Sequence, residues 1–174
     1  MLEQLQSNRL SINPFSDPCV ALRKACRSVT HLYDLVLSPT GLKATQFVIL
    51  QAIASSGEIA QWRLADEYGV SNDTLSRRLG TLRRAGLITQ RIGATRAGER
   101  LYRLTAAGAQ KFQEALPYWI RAQERFRHAM EHDTNWDAVI ANIDHLCTIA
   151  RNAELAKCSN AKPERAKSFG AAAD

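Results

Sequence analysis

The sequence predicts a mainly α-helical fold with one small β-hairpin, an α+β chain, and three observations carry that expectation. Apolar residues recur at steps of three and four over most of the 174 residues. A glycine-bounded turn at residues 93–98 separates two short runs of strand character. A composition of 45% hydrophobic against 23% charged residues suits a core that stands alone. The longest uncharged stretch, residues 44–57, has only 14 residues and includes Gln46, Gln51, Ser55 and Ser56, too short and too polar to span a bilayer. The first ten residues carry Glu3 and lack the apolar core and small-residue cleavage site of a secretory signal, so a cytoplasmic chain is expected. Cys19, Cys26, Cys147 and Cys158 are scattered without a CxxC pair, which speaks against a disulfide or zinc framework and makes them free thiols by default.

Residues 1–16 show no periodicity and read as an N-terminal arm. Asp17 followed by Pro18 is a helix start, a capping side chain and then a proline whose missing N–H costs nothing at the first helical position. Cys19, Leu22, Cys26, Val29, Tyr33 and Val36 then make one apolar stripe, ended by Ser38-Pro39-Thr40-Gly41. A second helix carries Phe47, Ile49, Leu50 and Ile53 as far as Gly57, and a short extended piece follows at Glu58-Ile59. A short helix over 62–68, a turn at Gly69-Val70-Ser71 and a longer helix over 72–85 form a helix-turn-helix pattern. Gly69 suits the left-handed turn position, Val70 fills the angle between the helices, and Ser71 caps the second one.

Turning Leu75, Leu79 and Leu82 inward leaves Asp73, Arg77, Gly80, Thr81 and Arg84 outward, with Asn72, Thr74 and Ser76 near the leading end. Gly80 costs about 1 kcal/mol of helix propensity relative to alanine, useful where backbone must approach DNA; a local kink is the alternative. After Gly86, strands over 87–92 and 100–104 form a wing whose tip carries Arg96, a residue suited to a minor groove. Thr105 caps a long helix bearing Phe112, Leu116, Trp119, Phe126 and Met130, in which Pro117 predicts a kink. A last helix over 135–157 presents Trp136, Val139, Ile140, Ile143, Leu146, Cys147 and Ala150, and residues 159–174 read as a disordered tail.

Charge points to a partner. The chain carries 23 basic and 17 acidic residues, yet residues 77–103 hold eight arginines against Glu99 alone, net +7, leaving the rest at −1. So local an excess implies a polyanion, and arginine, with its fixed fork of donors, suits phosphate and guanine better than lysine does. A solvated arginine-rich surface with no partner is the plainer alternative.

The segments CVALRKACRSVTHLYD (19–34), GLKATQFVIL (41–50), RLADEYGVSNDTLSRRLGTLRRAGLI (63–88) and LYRLTAAG (101–108) together resemble the MarR family of bacterial transcription regulators. The resemblance implies a winged helix-turn-helix DNA-binding domain over 41–104 and an intertwined helical dimerisation region made of 17–40 and 105–158. It implies a homodimer that straddles a pseudo-palindromic duplex, with half-sites about 34 Å apart. Carried over residue by residue, it places Ser71, Asn72, Asp73, Thr74, Ser76 and Arg77 at the DNA, with Arg77 reading a base. The basic helix and wing add Arg84, Arg96 and Arg100. Members carry an aspartate one or two residues before the wing arginine, bracing it; here Thr95 precedes Arg96, and Gly98-Glu99-Arg100 follows, so that brace is missing.

The resemblance also implies a switch. Many members sense a small aromatic or anionic molecule in the crevice between the dimer helices and the winged domain, for which Tyr33, Arg23, Trp62 and Arg63 are lining candidates and no contact is assigned. Cys19, Thr30 and Tyr33 resemble the sensing helix of the organic hydroperoxide resistance regulators, with Cys19 as the reactive thiol, although Arg23 stands where those sensors carry a tyrosine. His128 and His132 have a spacing that suits two metal ligands, but without a second cluster they read as a polar helix end, and neither metal nor cofactor is expected. An enzyme would need Cys19 paired with His31, which lie about 18 Å apart along one helix, so no catalytic site is expected. The rival of another class is a winged helix that binds protein instead of DNA. The sequence therefore predicts a DNA-binding regulator, a repressor released by a small molecule or, alternatively, by oxidation of Cys19.

Overall fold

The structure, a computed structural model, describes residues 17–94, 98–130 and 135–159. The expectations for the N-terminal arm, Arg96, His132 and the tail from residue 160 onward fall outside the described residues. Two compact units are distinguished, one up to Arg125 and one from Phe126.

In the first unit, helix α1 (Pro18–Leu37) begins at Asp17, whose Oδ1 accepts the backbone N–H groups of Cys19 at 2.8 Å and Val20 at 3.3 Å. A 3₁₀ turn at Ser38–Thr40 closes it. Helix α2 (Ala44–Ser56) is tied back to α1 by Asp34, which accepts Ala44 N–H at 2.7 Å and pairs with Lys43 at 3.5 Å. Strand β1 (Ile59–Ala60), helix α3 (Gln61–Glu67) and helix α4 (Asn72–Arg84) follow. Gly69 has φ of +56°, a value only glycine adopts without strain, and its N–H donates to Asp66 O to make the tight turn between α3 and α4. Ser71 then caps α4 by accepting Thr74 N–H at 3.3 Å.

Strands β2 (Ile88–Ile92) and β3 (Arg100–Leu104) form the wing, and β1 completes an antiparallel sheet ordered β1-β3-β2. The register pairs Gln90 with Tyr102 and Thr89 with Arg103. Because strand side chains alternate, Ile88, Gln90, Tyr102 and Leu104 share one face and Thr89, Arg91, Leu101 and Arg103 the other.

Helix α5 (Ala106–Met130) starts at Thr105, whose hydroxyl donates to Gly86 O at 2.7 Å and accepts Gly108 N–H at 2.9 Å. Gly108 has no room for a side chain: a Cβ there would lie 1.8 Å from the carbonyl oxygen of Leu87. The helix runs on through Pro117.

The core of this unit gathers Leu37, Phe47, Leu50, Ile53, Leu64, Leu75, Leu79, Leu82 and Ile88, all with essentially no exposure. Each such side chain contributes about 1.5–3 kcal/mol through burial. Trp119 of α5 stacks on Phe47 with ring centroids 4.5 Å apart and meets Tyr33 of α1 edge-on at 4.6 Å. By contrast, the first half of α1 is exposed: Cys19, Leu22 and Cys26, which begin the predicted stripe, make no core in the single chain, and neither does Val20. The second unit holds helix α6 (Trp136–Ser159), started by Asn135, whose Oδ1 accepts Asp137 N–H at 3.1 Å. Its Ile140, Ile143, Leu146 and Ile149 are exposed, Ile149 to 51%.

Candidate nucleic-acid interface and adjoining cavity

Helix α4 sorts its side chains cleanly. Leu75, Leu79 and Leu82 are buried, while Asp73, Arg77, Thr81 and Arg84 are exposed on the opposite face. Asp73 stands one turn ahead of Arg77 on that face, and Arg84 is steadied by a 3.3 Å hydrogen bond to Thr81 Oγ1. Ser71 and Thr74 bond to each other at 3.0 Å and are used in the cap. Asn72 is exposed at the first turn, where its carbonyl accepts from Gln61 Nε2 at 3.3 Å. Ser76 is half-buried on the flank facing the wing, and exposed Arg100 lies across from it at the start of β3, so these two form a separate pair beside the outer face. Cys19 is exposed in the first turn of α1, apart from this surface in the sequence of elements. His128 is exposed in α5.

One expectation needs refining and one correcting. Gly80 stands at the edge of the outer face: it lies about 20° around the helix from Asp73, yet it is half-buried and lines a space shared with Ser76 and the sheet. The charge count of residues 77–103 also overstates what is available. Glu58, just before β1, takes Arg91 through two hydrogen bonds, one from Nε at 2.7 Å, and approaches Arg103 Nε at 3.8 Å. The Arg91 guanidinium holds the Glu58 carboxyl below its ordinary range. Both arginines lie on the sheet face turned away from the one carrying Gln90 and Tyr102.

The opposite face builds a polar network. Tyr102, 3% exposed, points its hydroxyl at Gln61 Oε1 (3.1 Å) and Gln90 Oε1 (3.3 Å), and Arg83 Nη1 donates to Gln90 Oε1 at 2.8 Å. Burial pushes the Tyr102 phenol up, against the opposing charges of Arg100 and Arg83. Toward the tip of the wing, just beyond the Ile92–Arg100 pair, Trp62 Nε1 donates to Glu99 Oε1 at 2.9 Å, and Gly93 N–H donates to Glu99 O at 2.8 Å. Glu99 thus fastens the tip end of the wing to α3. Sequence reasoning missed Arg83, Glu58 and Glu99; their partners lie up to 37 residues away, and no local spacing announces them.

A largely apolar cavity of about 340 Å³ adjoins α4 on its other flank. Tyr33, Thr45, Tyr68, Leu75, Arg78 and Trp119 are among its lining residues. The Tyr68 hydroxyl donates to Val48 O at 2.9 Å, and burial pushes its phenol up. Of the predicted crevice residues only Tyr33 lines this cavity; Trp62 holds Glu99 near the wing tip, Arg63 pairs with Glu67 at 3.2 Å, and Arg23 is exposed on α1.

Comparisons with known proteins agree with this geometry. A family described as winged helix-turn-helix DNA-binding matches residues 42–89, which hold α2 to α4 and the start of β2. The chain is 32% identical to the M. tuberculosis transcriptional regulator MosR solved in complex with DNA, covering 79% of this chain and 98% of that one with a TM-score of 0.70. A mutant of E. coli MarR complexed with operator DNA is 21% identical over 75% of this chain and 90% of that one, TM-score 0.61. The Streptomyces coelicolor PcaV regulator, in complex with its natural ligand, is 18% identical over 79% and 94%, TM-score 0.65. The comparison with curated proteins gave no match. An arginine-bearing helix α4 beside a β-hairpin wing, in a chain that aligns with nearly the whole of MosR, places this protein in the MarR family of winged helix-turn-helix transcription regulators, which bind DNA and are not enzymes.

Proposed function

We propose that this regulator is a homodimeric repressor of the cytoplasm that reads a pseudo-palindromic duplex through Asp73, Arg77 and Arg84, with Arg96 at the wing tip, and is released when a small aromatic or anionic molecule enters the α4 cavity. One observation carries the reading: α4 contributes Arg77 to the outer face and Leu75 and Arg78 to the cavity, so a molecule in the cavity touches the helix that meets DNA. Arg78 supplies a cation for an anionic group, and Trp119 and Tyr33 supply flat apolar walls. The dimer is supported by the exposed apolar residues of α1 and α6, taken separately, which need a partner surface. The ligand complex of PcaV and the DNA complexes of MosR and MarR support both halves of the reading by analogy of fold.

The test is selection of a bound duplex from a random pool, followed by titration with a panel of aromatic carboxylates. A palindromic site, and at least one carboxylate that both lowers DNA affinity and changes Trp119 fluorescence in the free protein, are expected. A site unaffected by every member of the panel would remove ligand release. Steep loss of duplex binding between low and moderate salt separates a DNA reader from a protein-binding winged helix.

A second reading of the switch is favoured by the exposure of the Cys19 thiol. Under it, mild peroxide frees DNA from the wild-type chain and not from Cys19→Ser.

A further inference from the structure

On the flank of α4 between its buried leucines and its Arg77 face, Ser76, Gly80 and Arg83 follow at steps of four and three and so stand above one another. Facing them are Gln90 of β2 and Arg100 and Tyr102 of β3, and together they line a polar notch of about 210 Å³. Its floor is the buried Tyr102; Ser76, Gly80 and Gln90 are half-buried walls; Arg83 and Arg100 are exposed at the mouth. The bond to Gln90 holds the Arg83 guanidinium there by one nitrogen, leaving its other N–H groups for a ligand. Among the described residues, no carboxylate lines the notch.

Gly80 leaves its stretch of the notch wall without a side chain. A Cβ at this position meets only Arg84 Nη1, at an ordinary 3.7 Å, so packing within the chain does not demand glycine. Helix propensity argues against it.

We propose that this notch seats one phosphate of the DNA backbone, held by Arg83 and Arg100 with the Ser76 hydroxyl as a third donor, and that Gly80 is glycine to admit it. The assignment rests on the reading given above: if α4 lies in a major groove and the wing reaches the adjacent minor groove, the strand dividing the two grooves passes between α4 and the wing, across the notch. Two guanidinium forks suit a phosphodiester, and the volume, several times the ~30 Å³ share of a water molecule, admits a phosphate with ordered water.

The test is a scan of the selected duplex in which each backbone phosphate in turn is replaced by an uncharged methylphosphonate, with binding measured for the wild-type chain, Arg83→Gln, Arg100→Gln and Gly80→Leu. In the wild type, one position per half-site should cost roughly tenfold in affinity, the scale of a charge-assisted hydrogen bond. That penalty should nearly vanish in the three variants, and the slope of log affinity against log salt should flatten by about 0.9 in each arginine variant. Gly80→Ala serves as the folding control, with a raised melting temperature expected. Penalties that stay the same in the wild type and the variants overturn the assignment, as does unchanged binding and salt slope in Gly80→Leu. If inorganic phosphate at constant ionic strength displaces the duplex through Arg83 while no backbone position is special, the notch takes free phosphate and the DNA assignment falls. Specific binding lost in Arg77→Ala with an insensitive notch overturns only this inference; a wild-type chain that binds no duplex overturns the underlying reading with it.

Discussion

The two faces of the wing sheet carry the same residue type to different ends. On one face, Arg91 and Arg103 converge on Glu58, which answers one of their two charges within the chain. On the other, Gln90, beside the buried Tyr102, holds Arg83 at the edge of α4, near Arg100, with no carboxylate among the described residues lining the space between them. A run of arginine in a sequence is therefore not a measure of charge offered to a partner. What decides is whether the alternation of a strand turns each guanidinium toward an acid supplied from elsewhere in the chain, as the register beside β1 does for Arg103.

Five substitutions test this division. Tyr102→Ala removes the buried aromatic floor of the reading side, and a loss of about 3–5 kcal/mol in denaturant unfolding is expected. A loss below 1 kcal/mol would mean that the sheet does not rest on this residue. Arg77→Ala should leave stability nearly unchanged and cost about 1–3 kcal/mol of DNA affinity, with relaxed preference at one base pair; band-shift titration against single-base variants of the site measures both. Next in size, Arg84→Ala should flatten the salt slope by about 0.9 whereas Arg91→Ala leaves it unchanged, and equal slopes for the two would erase the distinction between an arginine offered outward and one held by Glu58. The smallest effect concerns pH. The Glu58 carboxyl is held below its usual 4.5 by Arg91, so the folded chain binds that proton less readily than the unfolded one. The pair thus stabilises the chain above about pH 4.5 and loses that contribution as pH falls through the lower folded value. Thermal unfolding of the wild type and Glu58→Gln should differ at pH 6 and converge toward pH 3; a constant difference would show that the pair does not titrate with folding.

Local chemistry was legible in the sequence. Gly69 and Ser71 mark the turn into α4, Thr105 marks the start of α5, and the strand limits fall within a residue of those observed, because each depends on neighbours a few positions away. The inward leucines of α4 follow from helical period alone, and so does the outward Arg77. Glu58 was not legible as the partner of Arg91, nor Glu99 as that of Trp62, since these contacts span 33 and 37 residues and depend on how the strands are registered. Gly80 shows the limit within a single helix. The leucine positions put it on the outer half of α4, but a residue at the edge of that face also lines the space between the helix and its neighbour, here the wing.

The contact at Gly108 has a mechanical meaning. Where α5 meets the link from α4 to β2, main-chain atoms touch main-chain atoms, with no side chain between to compress or rotate. Spacing at such a joint is a fixed gauge, insensitive to substitutions that soften the surrounding core. Trp119 lies eleven positions farther along the same helix, about 16 Å by helical rise, so any tilt of α5 at that point swings about a pivot already bolted to the root of the wing.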